Sequence, residues 1–220
     1  MILSIRNVRT QSIFDSTLER AGGKLLIELS LDQEFAMNLP ALPIHKYTYR
    51  EYQYFPNDGM RHEIIGGDHY MNPAPSTKHQ TASRRLQFQL YRQIEETGLG
   101  LVFDAPTDVE LAKHDIVQPD LIVVMNDRRA IVTPSRIIGV PNLLVEILSP
   151  SNPAHDRVLK FEMYQRTAVP EYWIVDPDEE TLEQWILENG SYRVLTKSSD
   201  KIDCFSIPGI SVTLGSIWNF

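Results

Sequence analysis

The chain has 220 residues, 42% hydrophobic and 23% charged, a profile that excludes a disordered protein and leaves room for one domain with a sizeable core. Its net charge of −8 argues against a general nucleic-acid-coating protein, but not against a nuclease, whose metal carboxylates add negative charge and whose basic groups can be local. The single cysteine, Cys204, excludes an intramolecular disulfide, gives no zinc-site spacing and fits a reducing cytoplasm, the expected location.

Residues 1–36 carry no motif and are expected to form an N-terminal extension, loosely packed or lying on the domain edge. Within them, 24–31 is a candidate strand after the Gly22-Gly23 turn. The opening residues turn polar too quickly for a secretory signal, and no apolar run approaches the roughly 20 residues needed to cross a bilayer. The patterned region, 37–220, is expected to be one domain, and Met37 is itself a candidate start.

Residues 48–55 predict a short helix stopped by Pro56-Asn57-Asp58-Gly59. Segments 61–65 and 68–71 flank Gly66-Gly67, a tight hairpin signal. Pro73-Ala74-Pro75 breaks the chain, and Ser76 predicts the N-cap of a long helix to about Glu96. Leu86, Leu90 and Ile94 give that helix a buried stripe. Strands are predicted at 101–103, 109–111 and 120–125, then a loop over 127–142. A buried strand at 143–148 leads through Ser149-Pro150-Ser151-Asn152-Pro153 into a helix of about 14 residues. A strand at 172–175 and a late hairpin around Glu188-Asn189-Gly190 follow. The order predicts an α/β fold with a mixed β-sheet flanked by helices, and not a regular βαβ repeat.

Two acids stand out against this pattern. Asp120 opens the apolar run Leu121-Ile122-Val123-Val124-Met125, and Glu146 sits between Val145 and Ile147. A carboxylate inside a buried strand is costly unless its charge is compensated, and two of them suggest a shared cation. Magnesium prefers oxygen ligands and keeps several waters, so two carboxylates and the carbonyl of Ile147 would suffice, with manganese as a substitute. A lysine nearby completes the parts needed to hydrolyse a phosphodiester. Asp156, Lys160 and Tyr164 recur every four residues and share a helical face. Taken alone, Asp156 and Lys160 read as a surface ion pair, His79 as a cap or surface residue, and Glu63 as the exposed member of a hairpin strand. Lys78, Arg84, Arg85 and Arg92, with Arg128, Arg129 and Arg136, are the local candidates for DNA contact.

The residues Arg61-His62-Glu63-Ile64-Ile65-Gly66-Gly67, His79, Pro119-Asp120, Glu146-Ile147-Leu148-Ser149-Pro150-Ser151, Asp156, Lys160 and Pro170-Glu171-Tyr172-Trp173-Ile174-Val175-Asp176-Pro177 together resemble the Uma-type restriction endonuclease family of the PD-(D/E)xK nuclease superfamily. The resemblance implies a restriction-endonuclease-like core with Asp120 and Glu146 as metal ligands. Leu148 stands where many superfamily members carry the lysine, and Lys160 matches its displaced position on the following helix. Glu63, His79 and Asp156 match supporting positions. The implied function is magnesium-dependent hydrolysis of DNA, with DNA as partner, no membrane, and a homodimer as an allowed assembly. The alternatives are a non-catalytic nucleic-acid- or protein-binding module that keeps the fold, and a structural domain with a coincidental acid pair.

Overall fold

The computed structural model describes residues 45–149 and 155–219. The expectations for residues 1–36 lie outside them. A capping box at Thr48, with Glu51 reaching back to its backbone, starts the short helix α1 (Tyr49–Tyr52). The hairpin β1 (Arg61–Ile65) and β2 (Asp68–Asn72) follows. Its turn needs positive φ at both central residues, and Gly66 and Gly67 supply φ of 59° and 83°. A side chain at Gly67 would also strike Lys46, its Cβ falling 2.7 Å from that of the lysine.

Helix α2 (Thr77–Ile94) begins where Ser76 accepts the His79 amide. Its inner face buries Ala82, Leu86, Leu90 and Ile94. Strands β3 (Gly100–Asp104), β4 (Val109–Ala112), β5 (Asp115–Val117) and β6 (Leu121–Met125) come next. The predicted 127–142 loop instead contains a 3-10 turn (Asn126–Ile131) and the two-residue strand β7 (Ile137–Ile138). After β8 (Leu143–Ile147) the described part of the expected 14-residue helix is differently wound. It opens as a π-helical turn (His155–Lys160) and continues as α3 (Phe161–Arg166). Strand β9 (Glu171–Asp176) and the hairpin β10 (Thr181–Glu188) and β11 (Ser191–Ser198) follow, then the ribbon β12 (Lys201–Asp203) and β13 (Ser211–Thr213).

These strands form a mixed α/β fold. A six-stranded sheet has the order β11-β10-β9-β8-β6-β3, and a five-stranded sheet the order β2-β1-β5-β4-β7. In the first, only β8 and β9 run parallel, across the connection that carries α3. Alternation along β8 divides the core. Leu143, Val145 and Ile147 pack with α2 and the C-terminal residues Ile207, Leu214 and Trp218. Leu144 packs on the opposite face with Met163 and Tyr164 of α3 and with Val109 and Val117 of the second sheet. Glu146 takes the face of Leu144 by the period of two, and so projects toward α3.

Candidate active site

The β6–β8 register pairs Leu121 with Val145 and Ile122 with Leu144. Carried one step outward, it sets Asp120 opposite Glu146. Directly opposed residues of an antiparallel pair have Cβ atoms about 4.5–5.5 Å apart. The Ile147 amide donates to Asp120 Oδ2 at 2.8 Å. In an extended strand the N–H and C=O of one residue face the same side, so the Ile147 carbonyl also faces the acid pair. Asp120, Glu146 and Ile147 line a small cavity of about 40 Å3 together with Arg61, His79, His155, Asp156 and Lys160.

Lys160 is buried at the centre of this cluster. Its Nζ lies 2.9 Å from Glu146 Oε1, 2.9 Å from Glu63 Oε1 and 3.6 Å from Asp156 Oδ1. One α-helical turn further on, Tyr164 donates to the same Glu146 oxygen at 2.5 Å. The π winding has a local consequence. It lets His155 and Lys160, five residues apart, meet the same carboxylate, with His155 Nε2 3.0 Å from Glu63 Oε2. Among the described residues, no hydrogen bond engages Glu146 Oε2.

Glu63 corrects one expectation. It is 1% exposed, not the solvent member of its strand. Its oxygens also accept from Asn72 at 2.6 Å and from the Gln118 amide at 2.9 Å. His155 and Lys160 of the π-helical turn and Gln118 after β5 cover the face that a lone hairpin would leave open. His79 is likewise buried, with Nε2 3.0 Å from Asp120 Oδ2, because the Ser76 cap starts α2 over the end of β6. Asp156 and Lys160 are no surface pair, since the lysine is 3% exposed. Three residues without a role in the sequence pattern join the cluster: Arg61, whose Nη1 donates to Asp120 Oδ1 at 2.8 Å, His155 and Gln118. The alternation of Arg61 with Glu63 along β1 was the available signal for the first. His155 depends on a winding that periodicity does not show.

Four carboxylates, Glu63, Asp120, Glu146 and Asp156, face two fixed cations, Arg61 and Lys160. Burial pushes the Glu146 carboxyl well above its ordinary range against the pull of the Lys160 ammonium, and Asp156, Asp120 and Glu63 push the same way as burial. Burial raises Asp156 as well. Burial opposes ionisation of Glu63 too, yet the Lys160 ammonium and the His155 and Gln118 contacts hold its carboxyl well below that range. Asp120 is lowered despite burial by His79 and Arg61. Burial alone would lower Lys160, but Glu146, Glu63 and Asp156 together raise it, so it stays an ammonium.

The residues fit a divalent cation in charge, donor type and room. The carboxyl groups outnumber the two fixed cations, the donors are all oxygen, and the small cavity exceeds the ~10–15 Å3 that one water requires. Among the described residues no three His, Cys, Asp or Glu side chains are arranged to hold one ion. Two carboxylates, a carbonyl and waters form a smaller protein donor set of the kind magnesium accepts.

The basic candidates are largely committed elsewhere. Lys78 pairs with Asp178 at 2.8 Å, Arg136 with Glu110 at 2.8 Å, and Arg92 with Glu96 at 3.9 Å. Arg85 donates to the Ile217 carbonyl at 3.0 Å, and Arg128 to that of Val140 at 2.9 Å. Arg84 and Arg129 are exposed. No described helix is long and apolar enough to cross a membrane.

Three similarities bear on this arrangement. The chain is 26% identical over 186 residues to "Uncharacterized protein slr1290" from Synechocystis sp., covering 81% of this chain and 95% of that one. Its fold matches the crystal structure of "a putative nuclease belonging to DUF820" from Anabaena variabilis, with a TM-score of 0.63 at 18% identity, over 78% of this chain and 97% of the other. The family model described as "Uma2: Putative restriction endonuclease" matches residues 48–215, which hold both sheets and every side chain of the cluster. The chain belongs to the Uma2 family.

Proposed function

We propose that this protein is a magnesium-dependent endonuclease that hydrolyses phosphodiester bonds in DNA. The observation that carries the reading is a buried ammonium, Lys160, placed against an acid pair that register sets face to face. Asp120, Glu146 and the Ile147 carbonyl would hold the cation. Bound there, magnesium would lower the pKa of a water and offset charge on the phosphate.

The chain's own groups do the rest. Lys160 is held charged, so it is no general base. It donates hydrogen bonds to the attacking water or to a phosphoryl oxygen as negative charge grows. Glu63 and Asp156 position the ammonium, and Glu63 is itself fixed by His155, Asn72 and Gln118. His79 and the Ile147 amide orient Asp120. Arg61, 21% exposed in its side chain, is the cation best placed to meet the phosphate.

Cleavage of supercoiled plasmid tests the reading. Cutting should need magnesium or manganese, stop in EDTA, and be lost in Asp120→Ala. Cutting that survives Asp120→Ala would show that another site or another protein is responsible. A non-catalytic binding module is the second reading, favoured by the net charge of −8. As a nucleic-acid- or protein-binding module that keeps the fold, it predicts no cleavage of DNA under any metal.

A further inference from the structure

Beside the acid cluster lies a second, larger cavity of about 810 Å3, in the range of small-molecule pockets. Three half-buried aromatic rings line it, those of Tyr49, Phe55 and Phe103. The Arg136 guanidinium lies 3.7 Å from the Tyr49 ring centroid and is anchored by Glu110, which holds that ring in place. Arg61 lines both cavities, and its Nη1 reaches Asp120. The two spaces therefore meet at one side chain. Arg61 Nε and Gln118 Oε1, both on lining residues, are buried polar atoms without a partner among the described residues. Such atoms call for an explanation in a folded protein.

We propose that this cavity seats an unpaired nucleobase of the strand whose backbone lies at the acid pair, so that the protein prefers single-stranded or locally unpaired DNA to perfect duplex. The inference rests on the nuclease reading for the nature of its ligand. A base stacked in a duplex cannot enter a concave pocket; it must be splayed or flipped out. Aromatic rings then hold it by its π-face, whatever its identity. The charge distribution agrees. An acidic chain whose basic side chains, among the described residues, are mostly paired internally is poorly equipped to grip a duplex by its phosphates.

The test measures DNA binding where cutting cannot occur, with the wild-type chain in EDTA and with Asp120→Asn in magnesium. The probes are one single strand, its perfect duplex, and the same duplex with one unpaired base. The unpaired position carries 2-aminopurine, whose fluorescence falls when it stacks on an aromatic ring. The single strand and the duplex with one unpaired base should bind about tenfold tighter than perfect duplex, with quenching on binding. Tyr49→Ala should lose about tenfold in affinity for unpaired DNA, and Tyr49→Phe should restore it. Equal affinity for all three DNAs, binding without quenching, or no binding to any of them would overturn the proposal. The quenching result needs no variant, so poor folding of Tyr49→Ala does not blunt the test. Base-dependent binding without metal-dependent cutting would leave the cavity assignment standing and sink the nuclease reading. Cutting with no preference for unpaired DNA would do the reverse.

Discussion

Asp120 accepts the Ile147 amide at 2.8 Å, beside Glu146 and one step beyond the β6–β8 register that pairs Leu121 with Val145. The pairing follows from strand geometry alone. Two apolar strands dock antiparallel, and an acid at the start of one and near the end of the other is carried to the same place. The Lys160 ammonium then meets Glu146 at 2.9 Å from the π-helical turn that precedes α3.

Metal should stabilise the fold, because it binds the folded acid pair and not the open chain. Melting temperature should rise with magnesium or manganese, by the equivalent of about 2.7 kcal/mol at a hundredfold excess over Kd. The rise should largely vanish in Glu146→Ala. An equal rise in both proteins would place the metal elsewhere.

Removing Lys160 leaves Glu63 and Glu146 buried without their cation. Breaking such a buried pair costs about 3–5 kcal/mol. Urea unfolding of Lys160→Ala without metal should show a loss of that order, and magnesium should recover part of it. A loss under about 1 kcal/mol would mean that the ion pairs contribute little to the fold.

Glu63 makes a pH prediction. Its carboxyl is held below the ordinary range, so its contribution is fully present above the unfolded value of about 4.3 and is lost as pH falls toward the folded one. Below about pH 4.3, wild-type stability should therefore fall more steeply than that of Glu63→Gln. Parallel pH profiles for the two proteins would show that Glu63 is not held ionised by Lys160.

Much of the core was legible because it rests on local pattern. The Ser76 cap, the Leu86-Leu90-Ile94 stripe and the Gly66-Gly67 turn each specify their element within a few residues. Asp120 and Glu146 stood out for a related reason, since an unpaired charge in an apolar run demands a partner, whereas Lys160 stood out through its match to the displaced lysine of the family pattern. The burial of Glu63 and His79 was not legible. It depends on contacts from distant segments, His155, Lys160 and Gln118 around Glu63 and Asp120 beside His79, which only the tertiary fold assembles. The π winding at His155 was hidden as well, because its residues suit an α-helix equally well. The large cavity draws on segments from Tyr49 to Ile137 that only the tertiary fold assembles.

Exposed Arg84 and Arg129 are the basic candidates free of a structural cost. Charge reversal of both should weaken DNA binding and reduce its salt dependence while leaving the melting temperature nearly unchanged. Arg136→Glu should lower the melting temperature, because it breaks the contacts to Glu110 and Tyr49. Unchanged DNA affinity after reversing Arg84 and Arg129 would remove them from the contact surface.

The most direct measurement is a manganese titration followed by electron paramagnetic resonance, on the wild-type chain beside Asp120→Ala, Glu146→Ala and Lys160→Ala. The account predicts one bound ion in the wild type, its loss in each acid variant, and its retention in Lys160→Ala. Undiminished binding in either acid variant would contradict the claim that Asp120 and Glu146 share one cation.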